Sequence, residues 1–343
     1  MINSIIIPEY KIKKNLNKKK IFINHNSYSL NINHINKYDE TVKYLDLRRN
    51  ERIREFKYIN KITSYILDLF KLTLNGINLE NHSKRYWEII IGPWLHYFIC
   101  STRNRYNKIQ YIIDNNNEAY FFGKFQFNEN LIPQDTKHFQ SLHCENSWNN
   151  YIYYRAFYHL KKNKILNKVY ELDIKKICNK KKKLNFRHLI DFFFKHLDFK
   201  KNKTFIHNSG MNIVNEFFLN ILLIQIPRFY KDDYSKIFHI NDKKRNLLNN
   251  EFKKNHLIKN DNFLNFLIDI IPNQLPLNLF EGYKFCKKLS INQGYPQKPK
   301  VIFTSNSFDT NEMFKFYTAN MVDRKDPSKY IVGQHGNSYN INL

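Results

Sequence analysis

The sequence predicts an α/β protein with a helical N-terminal part, and three observations predict it. A strand-like run over 203–209 ends in a polar turn and is followed by an apolar helical stretch over 212–226. A second strand-like run, 300–304, meets the polar turn Ser305-Asn306-Ser307, then a helical segment, then a third strand-like run at 330–332. Such strand–turn–helix repeats are what a parallel sheet requires. Upstream, apolar residues recur at helical spacing over long stretches, with little strand pattern between them.

Taken in order, residues 1–50 are polar, rich in Asn and Lys, and read as a basic N-terminal arm. The run 11–20 offers a peripheral contact to an anionic membrane face. Residues 51–200 read as a largely helical region. Phe56, Ile59, Ile62, Ile66, Leu69, Phe70 and Leu74 lie three or four apart, and Asn75-Gly76 is a stop signal. The next helix, over 85–99, is strongly apolar and carries Pro93, which removes a backbone hydrogen bond. Trp87 and Trp94 share one face of it and read as core. Arg103, Arg105 and Tyr106 are expected to end it, complementing the helix C-terminus or reaching a phosphate. Residues 120–127 read as strand or loop. His138, His143, Cys144 and Glu145 cluster without a zinc spacing, so no metal is assigned. Residues 148–160 form another amphipathic helix. Residues 201–343 are the α/β region. Within it, 212–226 is expected to be a buried helix, 231–260 carries a charged surface helix, and 262–271 is apolar again.

Of 343 residues, 42% are hydrophobic, enough for a real core. The net charge of +26 raises nucleic acid or an anionic surface as a partner. Lys, Asn, Ile, Phe and Tyr are in excess together while Gly numbers only 8, the output of an A/T-rich genome, so much of the charge reads as drift. No nucleic-acid motif accompanies it. The four cysteines, Cys100, Cys144, Cys178 and Cys286, form no CxxC pair and read as reduced thiols of a cytoplasmic protein.

The chemistry gathers at the C-terminal end. The third strand-like run leads straight into Gly333-Gln334-His335-Gly336. In open α/β sheets ligands bind beyond the carboxyl ends of the strands. His335 is placed there as general base or phosphate contact. Gly333 and Gly336 permit close backbone approach, and Gln334 and Asn337 offer neutral hydrogen bonds. Thr304, Ser305, Asn306 and Ser307 form the matching turn. A helix N-terminus, capped at Asp309 or Thr310, would aim free N–H groups at an anionic ligand there.

Several blocks occur together: YWEIIIGPWL (86–95), NRY (104–106), QLPLNLFEGY (274–283), PKVIFTSNSF (299–308), FKFYTA (314–319) and GQHGNSY (333–339). In order and spacing they resemble a transferase family encoded in bacterial surface-carbohydrate loci, first described from spirochaetes. The resemblance implies a glycosyltransferase-B-like fold of two facing Rossmann-like domains, and a role in building lipopolysaccharide or capsule. It implies that His335-Gly336 acts like the His-Gly turn of related capsule and teichoic-acid transferases. A nucleotide-activated sugar would be the donor substrate and a glycan the acceptor, without a further cofactor, at the cytoplasmic face of the inner membrane. Asn104 and Asn337 depart from the family pattern. Family members continue past the His-Gly turn, so this chain is expected to correspond to their N-terminal portion, with the C-terminal domain missing or separately encoded. The alternative is a glycan-binding or partner-dependent module without turnover; nucleic-acid binding is a lesser one.

Overall fold

The structure is a computed structural model that describes residues 4–7, 19–23, 40–42, 48–116, 119–125, 128–161, 165–170, 202–225, 236–258 and 260–333. It is mixed α/β and mostly helical, with two parallel sheets.

Three strands open the chain: β1 (Ser4–Ile7), β2 (Lys19–Ile23) and β3 (Glu40–Val42). The sequence reading places a polar arm here. At three to five residues each, these strands are too short for a period-two pattern to stand out, and it is pairing across the sheet that fixes them. They join β4 (Ala119–Phe125) and β5 (Ile165–Tyr170) in the order β3-β2-β1-β4-β5, with every pair parallel. Ile6 stands opposite Ile21 on one side and Phe121 on the other. The strand order reverses direction between β1 and β4.

Between β3 and β4 run the two longest helices, α1 (Arg49–Asn78) and α2 (Lys84–Asn115). At the start of α1 the Glu51 carboxylate accepts from the Arg48 N–H at 2.7 Å. The expected stop at Asn75-Gly76 falls three residues early. Asn75 instead uses its side chain across the turn, donating to His82 O at 2.8 Å and accepting from Trp87 Nε1 at 3.0 Å. The chain leaves α1 through Leu79 in the left-handed conformation, φ 57°. Ser83 caps α2 by accepting from Tyr86 N. The predicted end of α2 near Arg103 is also too early. Arg103 pairs with Glu55 of α1, and Arg105 donates to Asn149 Oδ1 at 2.8 Å, so both arginines hold the helix in the interior.

After β4 come a 3-10 turn (Glu129–Leu131), α3 (Thr136–Leu142) and α4 (Asn146–Leu160). β6 (Thr204–Ile206) begins the second sheet and is followed by α5 (Ile213–Leu222). Four helices follow: α6 (Asp242–Asn255), α7 (Asn262–Ile270), α8 (Leu277–Phe280) and α9 (Tyr283–Ile291). Then come β7 (Val301–Thr304), α10 (Ser307–Thr310), α11 (Glu312–Val322) and β8 (Lys329–Val332), giving a parallel sheet of order β6-β7-β8.

The main core is helical. Trp87, Trp94 and Trp148 are buried in it, the last donating from Nε1 to Gln274 Oε1 at 2.7 Å. Helix α2 packs on α1 and α4 and also on α11. It therefore joins the side of the molecule bearing β4, which α4 covers, to the side bearing β8, which α11 covers. A separate small core of Phe205, Tyr295, Ile302, Phe314 and Tyr317 fills the three-stranded sheet's side. Arg245 and Glu281 form a buried ion pair at 2.6 Å, and Arg245 also donates to Pro272 O, so neither charge is left uncompensated.

Candidate functional site

The carboxyl ends of β6, β7 and β8 converge, as the parallel register demands. His207 N donates to Phe303 O at 2.9 Å, Ser305 N to Asn208 O at 3.2 Å, and Gly333 N to Thr304 O at 2.8 Å. Two polar turns far apart in sequence, and the end of β8 at Gly333, are thereby brought side by side. Asn208 and Gly210 both have positive φ, 51° and 79°, which turns the chain sharply from β6 into α5.

The predicted turn residues sit here, but several point inward. Thr304 Oγ1 accepts from Ser307 N at 2.9 Å, and Ser307 Oγ lies 2.7 Å from His207 Nδ1. Thr304, Ser305 and Ser307 are buried, and Asn306 is half-buried. Their hydroxyls build the turn; Asn306 is the side chain of the four that is open to a ligand. His207 is missing from the sequence-based site because its partner lies a hundred residues away. Its ring lies 5.0 Å from Phe314 and 5.6 Å from Phe205, centre to centre.

Gly333 is required by close approach. A Cβ there would stand 2.8 Å from Phe303 Cζ and 2.9 Å from Ser305 Oγ. This contact fixes where the chain enters the next stretch. Gln334, His335, Gly336 and Asn337 lie outside the described residues.

The expected anion-binding helix N-terminus takes a different form. The predicted single helix is split into α10 and α11, and the cap is Asn311, which accepts from Phe314 N at 3.0 Å. The first residue of α11 is a carboxylate, Glu312. Glu312 is buried, accepts from Thr136 N at 3.0 Å and pairs with Lys315 at 2.9 Å, while Lys315 also donates to Thr136 Oγ1. Asp309 accepts from Gln140 Nε2 at 3.0 Å. The first turn of α5 likewise holds a buried carboxylate, Glu216, which accepts from Ser209 Oγ at 2.6 Å. Both helix starts beside the crevice thus hold a buried carboxylate that is already engaged, Glu312 by Lys315 and Thr136 and Glu216 by Ser209.

A polar network anchors the far end of α11. His82 Nδ1 lies 2.6 Å from Asp323 Oδ2, and its Nε2 is 2.8 Å from Glu80 Oε2 and 2.9 Å from Lys287 Nζ. Tyr283 donates to Glu80 at 2.5 Å. Burial pushes the Glu80 carboxyl up, but the hydrogen bonds from Lys287 and Tyr283 outweigh it and hold it below its usual range. Burial pushes the Tyr283 phenol well up.

A second cleft, about 530 Å³, lies between the 3-10 turn, α3 and residues 237–240, and takes in His138 and Glu145 from the predicted cluster. His138 Nδ1 accepts from Gln134 N at 2.9 Å, and burial lowers its proton affinity, so the ring is a neutral hydrogen-bonding group. His143 Nδ1 lies 3.1 Å from Phe139 O. Among the described residues no three His, Cys, Asp or Glu side chains group as metal ligands. Nor is any helix among them long and apolar enough to cross a membrane.

No curated protein and no solved structure matches this chain. A family model does: the model of the LIC12162 family transferases matches residues 11–343, which takes in both sheets from β2 onward and the helical core between them. The chain belongs to the LIC12162 family of transferases.

Proposed function

We propose that the chain acts in sugar transfer: a glycosyltransferase-like protein that moves a sugar, or a related phosphate-linked group, from a nucleotide-activated donor to a surface-glycan acceptor. The observation that carries this reading is the crevice beyond β6, β7 and β8. There the Asn306 turn and Gly333 are in contact immediately before the Gln334-His335-Gly336 stretch. Ligands of open parallel sheets sit at such strand ends. Supporting it is the presence of two parallel sheets in one chain, one with the order of a doubly wound nucleotide-binding sheet. Two such units facing each other across a cleft would give a glycosyltransferase-B-like arrangement.

In this reading His335 takes the proton of the acceptor hydroxyl or contacts the donor phosphates, while Asn306, Asn337 and the glycine backbones position the sugar. The diphosphate would be met by basic side chains or by the other sheet.

The test is a thermal-shift screen across nucleotide sugars, followed by transfer assays with the best binder. A ligand at a hundred times its Kd stabilises by about 2.7 kcal/mol, a shift of several degrees. His335→Ala is expected to abolish transfer while leaving the melting temperature near that of the parent. A screen without any stabilising nucleotide sugar, together with unaltered transfer in His335→Ala, would overturn the proposal.

A further inference from the structure

Helix α5 is turned inside out. Its polar residues Glu216 and Asn220 face inward, 8% and 7% exposed, while Phe218 and Leu222 stand 58% and 79% exposed on the outside. The sequence reading expects this helix to be buried; its apolar side is not. Val214, Phe218, Ile221 and Leu222 fall at spacings of four, three and one, a single helical stripe, and all are exposed. The orientation is held by specific bonds. Glu216 accepts from Ser209, Asn220 donates to Glu216 O at 2.7 Å, and Gln225 donates to Asn220 Oδ1 at 2.9 Å while accepting from Thr204 N at 3.2 Å. The stripe runs past the helix end into Leu223 and Ile224, the latter 96% exposed.

That end is bordered by lysines. The Gln225–Thr204 bond sets it against the starting edge of the three-stranded sheet. Along this edge Lys300 N donates to Lys203 O at 2.7 Å, and Lys329 N to Lys300 O at 2.8 Å. All three lysine side chains are exposed, and the loop before β8 adds exposed Lys325 beside exposed Asp326. An apolar protein partner has no use for the lysine row, and a nucleic acid has none for the stripe. A surface that presents acyl chains beneath anionic head groups uses both. The chain's net charge of +26 adds long-range attraction of the same sign.

We propose that α5 and the adjoining strand-start edge of the β6–β7–β8 sheet dock on an anionic lipid bilayer, with the α5 stripe among the upper acyl chains and Lys203, Lys300 and Lys329 at the head-group phosphates. The opposite end of α5 begins at the Asn208–Gly210 turn, so the strand-end crevice lies on the edge of the sheet away from the lysine row. The inference stands on this face alone, independent of the proposed chemistry, and its test uses no nucleotide sugar.

The test is co-sedimentation of the chain with vesicles of phosphatidylcholine alone, and with about one-third phosphatidylglycerol added to supply negative charge. Binding is expected to the anionic vesicles only. A general basic adhesion would be blind to the stripe, so the deciding variant is the double change Leu222→Asp and Ile224→Asp, expected to weaken partition at least about tenfold. Lys300→Gln and Lys329→Gln should each weaken it about fivefold. Phe218→Trp gives a second reading, a blue shift of emission on anionic vesicles. Equal binding by the double Asp variant, with its parent melting temperature, overturns the proposal. So does an emission of the Phe218→Trp variant that anionic vesicles leave unshifted, or a dimer of the parent chain in sedimentation equilibrium that the double Asp variant dissolves.

Discussion

Helices α2 and α5 make opposite use of the same kind of sequence. Both are rich in large apolar residues. Helix α2 buries them on several sides at once, from Tyr86 and Trp87 through Phe98 to Ile112. Helix α5 buries Glu216 and Asn220 and leaves Phe218 and Leu222 in solvent. Hydropathy alone assigns both to the core. What separates them is the partner each finds. Helix α2 is surrounded by α1, α4 and α11. Helix α5 is fastened by its polar side through Ser209, Thr204 and Gln225. A helix held by hydrogen bonds on its inside, with its apolar residues exposed on the outside, is not a core helix despite its hydropathy.

The contrast can be broken residue by residue. The largest effect is expected from Trp87→Ala in α2, which opens a cavity and removes the indole bond to Asn75, at a cost of about 3–5 kcal/mol in urea unfolding. The same truncation at Phe218 of α5 should cost less than about 0.5 kcal/mol; comparable losses at the two sites would refute the distinction. Next is Lys108, a buried lysine of α2. Burial, helped by the Arg105 guanidinium, pulls its ammonium down to about 8. A lysine held below its unfolded value of about 10.4 lowers stability at neutral pH, and the loss is recovered as pH rises from about 8 to 10. Lys108→Met should therefore stabilise the chain at pH 7 by about 2–3 kcal/mol and flatten stability between those limits. A parent curve already flat there would show that the charge is solvated.

A smaller effect, about 1–3 kcal/mol, is expected from Glu216→Ala, which leaves the buried Ser209 hydroxyl proton without its acceptor and loosens the inner face of α5. Chemical denaturation should show the loss, and Glu216→Gln should recover part of it. The smallest change is a gain. Leu79 adopts φ 57° at the end of α1, a conformation glycine takes without strain, so Leu79→Gly is expected to add about 1 kcal/mol. A drop in melting temperature would mean that the exposed Leu79 side chain makes a contact worth more than the strain.

The sequence made some of this legible and hid the rest for identifiable reasons. The helical spacing in α1, α2 and α4, the strands β6 to β8, and the turn at Ser305 to Ser307 could all be read, because each depends on neighbours within one or two turns of chain. The ends of α1 and α2 could not. They are set by Asn75 reaching to His82 and Trp87, and by Arg103 reaching to Glu55. The strands within residues 1–50 were hidden by their brevity and by the Lys and Asn around them. At the candidate site, the Thr304–Ser307 turn was visible but its inward aim was not, since that depends on His207. The N-terminal carboxylates Glu216 and Glu312 were in plain view, yet their burial, and the bond of Glu312 to Thr136, depend on distant parts of the chain.

At 32 residues, α2 is about 48 Å long, and it touches elements flanking both sheets. In mechanical terms it is a shaft carrying two wheels. The rod bears on α11 beside β8 and on α4 beside β4, so a displacement of either helix loads the same shaft. Pro93 sits part-way along, with no N–H to return to Ile89, so the shaft lacks one backbone bond at that point.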